Sequence, residues 1–293
     1  MIREQSADRL LMLHPPFRSA FPVAHAFTLR NEPSHAGSVV VWMMSTKIPD
    51  EVFSAVRHRA GGVALVVILP PAEHLLRREL LYRMVQSCHP SVVLPFHDTF
   101  EVDDLVLLLR EPVEPLGGTV TDYLTWRGLT IDPDTRRIVA RALNGALNAA
   151  SVADLARGMY LSRRALGRRF FTAGLPAPSR WLQIGRVLHA SLRLQREATT
   201  LQAVARDFHC ADGFALSNQM ERLTGLRPSE VRRLAGWEWI FERWIGREVH
   251  RGGFRGPALQ GLRRTTAALP SSIALLAPPS QVRRAQPGVA DDA

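Results

Sequence analysis

Residues 151–170 read Ser-Val-Ala-Asp-Leu-Ala-Arg-Gly-Met-Tyr-Leu-Ser-Arg-Arg-Ala-Leu-Gly-Arg-Arg-Phe. Ser151, followed three positions on by Asp154, is a capping-box arrangement that opens a short helix over 152–156. The link Arg157-Gly158-Met159-Tyr160 leaves room only for a tight corner, and Gly158 can take the positive φ such a corner uses. A second short helix over 161–170 carries an apolar side of Leu161, Leu166 and Phe170. Its other side is basic, with Arg163, Arg164 and Arg168. Two short helices, a glycine corner and an arginine-bearing second helix describe a helix-turn-helix, whose second helix enters the DNA major groove.

Working outward, the pattern recurs. Thr200 can cap a helix over 201–205, a bend falls at His209-Cys210, and Asp212 can cap a helix running through Leu216, Met220 and Leu223. Between the two copies, 179–196 forms one longer helix with Trp181, Leu182, Ile184, Val187, Leu188 and Leu192 facing the core. Gly225-Leu226-Arg227-Pro228-Ser229-Glu230 closes the array, with Pro228 and Ser229 starting a last helix. Upstream, 133–148 is a helix with proline in its first turn; Ile138, Ala142, Leu143 and Ala146 face inward.

Residues 133–233 resemble the AraC/XylS class of bacterial transcription regulators, about a third of the chain. The matching residues are Ala153, Leu155 and Ala156; Leu161-Ser162, Leu166, Arg168 and Phe170; Gly174, Pro178 and Arg186; Leu201, Val204 and Ala205; and Gly225 through Ser229. The resemblance implies an all-α C-terminal domain with two helix-turn-helix units joined by a linker helix. It implies double-stranded DNA as ligand and RNA polymerase as a protein partner, with no cofactor. The base-reading positions it places on the first helix are Arg164, Gly167 and Arg168, flanked by Ser162, Arg163 and Arg169. On the second helix they are Gly213, Phe214, Ser217 and Asn218. An arginine reaching guanine O6 and N7 bidentately is the commonest specific contact, and serine and asparagine also bond bases. Phe214 reads equally as a thymine-methyl contact or as core. Arg163, Arg169, Arg180 and Arg186 are read as phosphate contacts or as internal salt links, Arg186 foremost as structural.

Two departures fall in the second unit. The family's Gly-Phe bend reads His209-Cys210 here, and Asn218 with Met220-Glu221 stands where basic and aromatic-basic residues are usual. Glu221 would face phosphate poorly, so the first unit is expected to carry most of the base reading.

Charge supports a polyanionic partner. The net charge is +10, and residues 133–234 hold 17 Arg against 7 Asp plus Glu, so the whole excess lies in the array. Lys47 is the only lysine, so the position of the charge is informative and the choice of arginine is not. Two cysteines, Cys88 and Cys210, suggest no disulfide framework and fit a reducing cytoplasm. No apolar run reaches the roughly 18–20 residues of a membrane span, and Arg3, Glu4, Asp8 and Arg9 make a poor signal peptide.

The front half reads differently. Residues 1–37, with Pro15, Pro16, Pro22 and Pro33, are expected to be irregular. Apolar runs at 39–44, 63–69, 92–94 and 105–109 alternate with helices over 49–59 and 72–86. This is the signature of a small α/β domain over 38–112 with a mostly parallel sheet covered on both faces. Residues 63–96 loosely resemble the middle of a receiver domain, but no acidic pair follows a strand to bind magnesium. Gly61-Gly62 precedes a strand and Gly117-Gly118 falls in a linker over 113–132, so neither is a phosphate loop. Cys88 lacks a nucleophile-elbow context. Cys88, His89, His97 and Asp98 match no established metal-ligand spacing, so neither catalysis nor a metal site is expected. Trp237, Ile240, Phe241, Trp244 and Ile245 form an amphipathic stripe over 236–250. It is read as packing on the array or the α/β domain, with a homodimer contact as rival and membrane association unsupported. From 251 to 293, Gly, Pro, Ala, Ser and Arg without periodicity imply a disordered basic tail. Two other readings stay open: a non-specific architectural DNA binder, or an enzyme-like α/β domain fused to a DNA-targeting module.

Overall fold

The computed structural model describes residues 9–26, 28–31, 37–45, 48–70, 78–96, 100–111, 115–147, 151–196, 199–208 and 210–266. The front half comprises β1 (Arg9–Leu13), β2 (Ala20–Pro22), α1 (Thr28–Asn31), β3 (Val39–Met43), α2 (Asp50–Arg57), β4 (Ala64–Ile68), α3 (Arg78–Ser87), β5 (Val92–Leu94) and α4 (Val102–Arg110). The back half is helical throughout. It comprises α5 (Leu116–Trp126), α6 (Pro133–Asn144), α7 (Val152–Arg157), α8 (Arg163–Thr172), α9 (Pro178–Leu194) and α10 (Leu201–Asp207). α11 (Gly213–Thr224), α12 (Pro228–Val231), α13 (Glu238–His250) and α14 (Gly256–Thr266) complete it.

The five strands form one mixed sheet in the order β2-β1-β3-β4-β5. β3, β4 and β5 run parallel, while β1 is antiparallel to both β2 and β3. The apolar runs are continuous because both faces are covered. Val40, Trp42, Leu65 and Val67 pack with Val56, Val85 and Cys88, and Val39, Val41, Val66 and Ile68 pack with Leu105, Val106 and Leu109.

Four expectations fail here. The segment over 1–37 is not irregular where it is described. Arg9-Leu-Leu-Met-Leu13 is an interior strand, and Pro22 sits on the edge strand, where the ladder needs no donor from it. Residues 105–109 are helical, and the burial pattern explains why: Leu105, Val106 and Leu109 are buried while Leu107 and Leu108 are exposed, a helical rather than a strand period. The stretch over 113–132 is no linker, since α5 buries Leu116, Val120, Tyr123 and Leu124. The tail folds as far as Thr266, with Phe254, Ala258 and Leu262 buried. Glycine misled both of the last readings. A Cβ on Gly117 would lie 2.1 Å from the Ala140 carbonyl oxygen, and one on Gly261 2.0 Å from that of Gly128, so these glycines mark helix–backbone contact and not loops.

The halves share an interface at the amino-terminal ends of β4 and β5. The Gly62 N–H donates to the Tyr123 hydroxyl (2.7 Å), which donates to Glu242 Oε1 (2.7 Å). Glu242 accepts from Arg127 at Nε (2.5 Å) and at Nη2 (3.2 Å). The Ser91 hydroxyl donates to the buried Glu238 (2.6 Å). Buried Arg59 donates to the carbonyls of Val63, Cys88 and His89 and lies 4.5 Å from the Trp126 ring centroid. Gly61-Gly62, far from a phosphate loop, is where α5 and α13 close against the sheet.

Candidate nucleic-acid interface

α9 is the axis of the helical half. Trp181, Leu182, Ile184, Val187, Leu188 and Leu192 are buried along it, and the pairs α7–α8 and α10–α11 both pack on it. The pairs are built alike. Ser151 Oγ accepts from the Asp154 N–H (3.3 Å) while the Asp154 carboxylate accepts from the Ser151 N–H (3.0 Å), completing the capping box. Thr200 Oγ1 accepts from the Ala203 N–H (3.1 Å) at the matching place. Ser162 and Asp212 each cap the following helix, accepting from the N–H of Ala165 (3.1 Å) and Ala215 (2.7 Å). Leu166 and Phe170 on α8 correspond to Leu216 and Met220 on α11, all four buried. Both corners close by the same bond: the N–H of Leu161 reaches the Ala156 carbonyl (3.0 Å), and that of Cys210 reaches Ala205 (2.9 Å). His209 lies outside the described residues.

The first corner departs from the glycine expectation. Gly158 keeps a right-handed φ of −66°, while Tyr160 takes φ +55° and is 99 % exposed. The corner needs its left-handed residue two positions later than the glycine suggests, and no pattern in the sequence flags an aromatic there.

The predicted reading residues divide into two groups. Arg163, Arg164 and Arg168 are exposed on α8 and form no ion pair among the described residues; Arg164 and Arg168 lie opposite Leu166 and Phe170, while Arg163 is the first residue of the helix. Arg164 and Arg168 stand one turn apart and therefore on one face. Gly167 lies beside them, and a Cβ there would meet nothing within 4 Å. Phe214, at 74 % exposure, and Asn218 form the matching face of α11, with Ser217 half-buried beside them; Phe214 is thus not core.

Two residues do not belong to this surface. Arg169 turns back along α8, donating to Thr135 Oγ1 (3.1 Å) and to Asp132 (3.2 Å) and pairing with Asp134 (3.1 Å). Hydrogen bonding from Thr135, then the Arg169 guanidinium, holds the Asp132 carboxyl at about 2. Gly213 is buried, its N–H donating to Gln202 Oε1 (2.9 Å), so it seats α11 on α10. Arg180 pairs with the buried Glu248, and the Arg186 Nε donates to the Ala146 carbonyl (3.0 Å). Both are internal links. Glu221 lies 3.6 Å from Arg227 Nε, which offsets its charge.

Among the described residues no three potential metal ligands converge, and no helix is long and apolar enough to cross a membrane. His97 and Asp98 lie outside them. Burial raises the Cys88 and Cys210 thiols, which disfavours their nucleophilic thiolate forms. The Trp237–Ile245 stripe is buried in the helical core, against α9 and α11. No family model, curated protein or solved structure matches this chain.

Proposed function

We propose that this chain is a sequence-specific DNA-binding transcription regulator of the AraC type, reading the major groove mainly with α8. The observation that carries the reading is the exposed Arg163, Arg164 and Arg168, without an ion pair among the described residues, on the second helix of a capped pair whose counterpart recurs on the same axial helix. In this reading Arg164 and Arg168 reach guanine edges, Arg163 contacts phosphate, and the Ser162 cap orients the helix. On α11, Phe214 faces a thymine methyl while Ser217 and Asn218 bond bases. RNA polymerase as a partner follows only from the family resemblance and a cytoplasmic location only from composition; the homodimer rests on the Trp237–Ile245 stripe, which is taken up by the helical core.

The placement of net charge equally favours an architectural binder that coats DNA, since phosphate attraction is blind to sequence. Selection from a random duplex pool separates the two. An enriched motif is expected; retention of duplexes without enrichment would favour the architectural reading, and no retention would end both. An enzyme-like front domain finds less support, because the glycine pair and Cys88 of that half are taken up by packing.

A further inference from the structure

α13 and the corner that follows it touch both of the helices assigned to DNA reading, at the ends remote from their capped N-termini. At the α11 end, the Arg243 Nε donates to the carbonyl of Thr224 (3.1 Å), the last residue of the helix. A cation there also complements the negative pole of the helix dipole. At the α8 end, the Arg255 N–H donates to the Gly174 carbonyl (2.8 Å), and the Arg255 guanidinium lies 4.4 Å from the Phe171 ring centroid. Gly174 has φ +69°, and a Cβ on it would lie 2.3 Å from the Arg255 carbonyl oxygen, so the two backbones are in direct contact. Between these ends, Glu248 pairs with Arg180 at the start of α9, and Phe254 fills the space beside Trp181 and Trp244.

From this geometry we infer that α13, with the corner at Arg255, is a strut setting the distance and phase between the two reading helices, with Arg243, Arg180 and Glu248 as positioning residues. The inference rests on the proposed DNA-reading function and adds to it a selectivity for spacing. The linker helix alone holds α8 and α11 through their packing faces; the strut also ties their far ends, closing a rigid frame. Such a frame cannot follow a second sub-site that has moved along the groove. Each inserted base pair shifts that sub-site by about 3.4 Å and about 35° around the duplex.

The test uses the full chain and duplexes bearing the selected motif with zero, one or two base pairs inserted between its halves, alongside a duplex bearing the first half alone. The parent is expected to lose at least about fivefold in affinity on a one-base-pair insertion, within the range of a lost base contact. The variant Arg180→Met/Glu248→Leu/Arg243→Met should bind the first-half duplex within about twofold of the parent while its insertion penalty shrinks below about twofold. Binding to the first-half duplex reports an intact fold; if the triple variant fails that control, Arg243→Met alone carries the comparison. A folded variant that keeps the full penalty overturns the strut, as does a parent indifferent to insertions. Failure to select any motif would instead remove the DNA-reading function beneath it.

Discussion

Arg168 and Arg169 are neighbours with opposite surroundings. Leu166 and Phe170 point into the core, so Arg168 is left on the outer face while Arg169 falls over the amino end of α6 and its acidic first turn. Helical phase decides this, and it was readable; the identity of the acidic partner, 35 residues earlier at Asp134, was not. Arg168→Ala should weaken binding to a selected duplex by about 1–3 kcal/mol, the value of one arginine–guanine contact. Asn218→Ala should cost visibly less, because α11 offers Phe214, Ser217 and Asn218 where α8 offers Arg164 and Arg168. Fluorescence anisotropy on both variants checks this, and equal losses would end the asymmetry.

His89 gives a second prediction at the same scale. Its ring stacks on Trp126 and meets Tyr123 edge-on. Burial, then the nearby Arg59 charge, pushes its imidazole down to about 4. The unfolded chain therefore takes up this proton first as pH falls from about 6.5, and the folded protein only near 4. Stability should be full above 6.5 and fall by about 3 kcal/mol between there and pH 4. Glu238 opposes this: burial raises its carboxyl, so its contribution is present at low pH and lost as pH rises through the raised value. Urea titrations of His89→Asn should show a flatter acid limb than the parent. Asparagine tolerates the left-handed φ of +50° at this position.

At the scale of elements, local signals were reliable wherever polar caps bound an apolar face. The caps at Ser151, Thr200 and Asp212 were all visible, because a side chain three residues from its backbone donor needs no tertiary structure to find it. β1, α4 and α14 were missed, and α5 was read only as a turn or two of helix over 120–124, for the complementary reason: each is shaped by a distant partner. Leu105-Val106-Leu107-Leu108-Leu109 suits a buried strand as well as a helix until one face is covered. The composition after residue 251 hides Phe254, which fills the space between Trp181 and Trp244. Phe254→Ala should destabilise the protein by about 3–5 kcal/mol, the cost of emptying a packed aromatic site. A disordered tail would leave the melting temperature unchanged, so thermal melts decide between the two.

For the whole molecule, the shared interface turns two apparent domains into one cooperative body. Glu242 bonds Arg127 and Tyr123 at once, and Tyr123 in turn holds Gly62 of the sheet. Burial, then the Glu242 charge, drives the Tyr123 phenol well above its ordinary value, so it stays protonated and can donate. Glu242→Ala removes the carboxylate that faces the buried Arg127 guanidinium and should cost about 3–5 kcal/mol. Near-ultraviolet and far-ultraviolet signals should shift together, and separate transitions for the sheet and the helices would contradict the shared interface. DNA affinity should fall steeply between low and moderate salt as phosphate neutralisation releases counterions. A flat salt profile would argue against an arginine surface on the duplex.

Sequence by itself determined the repeated capped helix pairs, the long helix between them, the parallel core of the sheet and the side of α8 that bears arginine. All of these follow from contacts within a few residues or from the alternation of apolar and polar positions. Only the tertiary structure decided that the first strand lies inside the sheet, that glycine-rich stretches are helices pressed on other backbones, that Arg169 meets Asp132 and Asp134, and that Gly213 is buried. It alone joined α13 and the corner after it to both α8 and α11. Those outcomes depend on which surfaces meet across long stretches of chain, and close backbone approach leaves a glycine in the sequence without saying what it approaches.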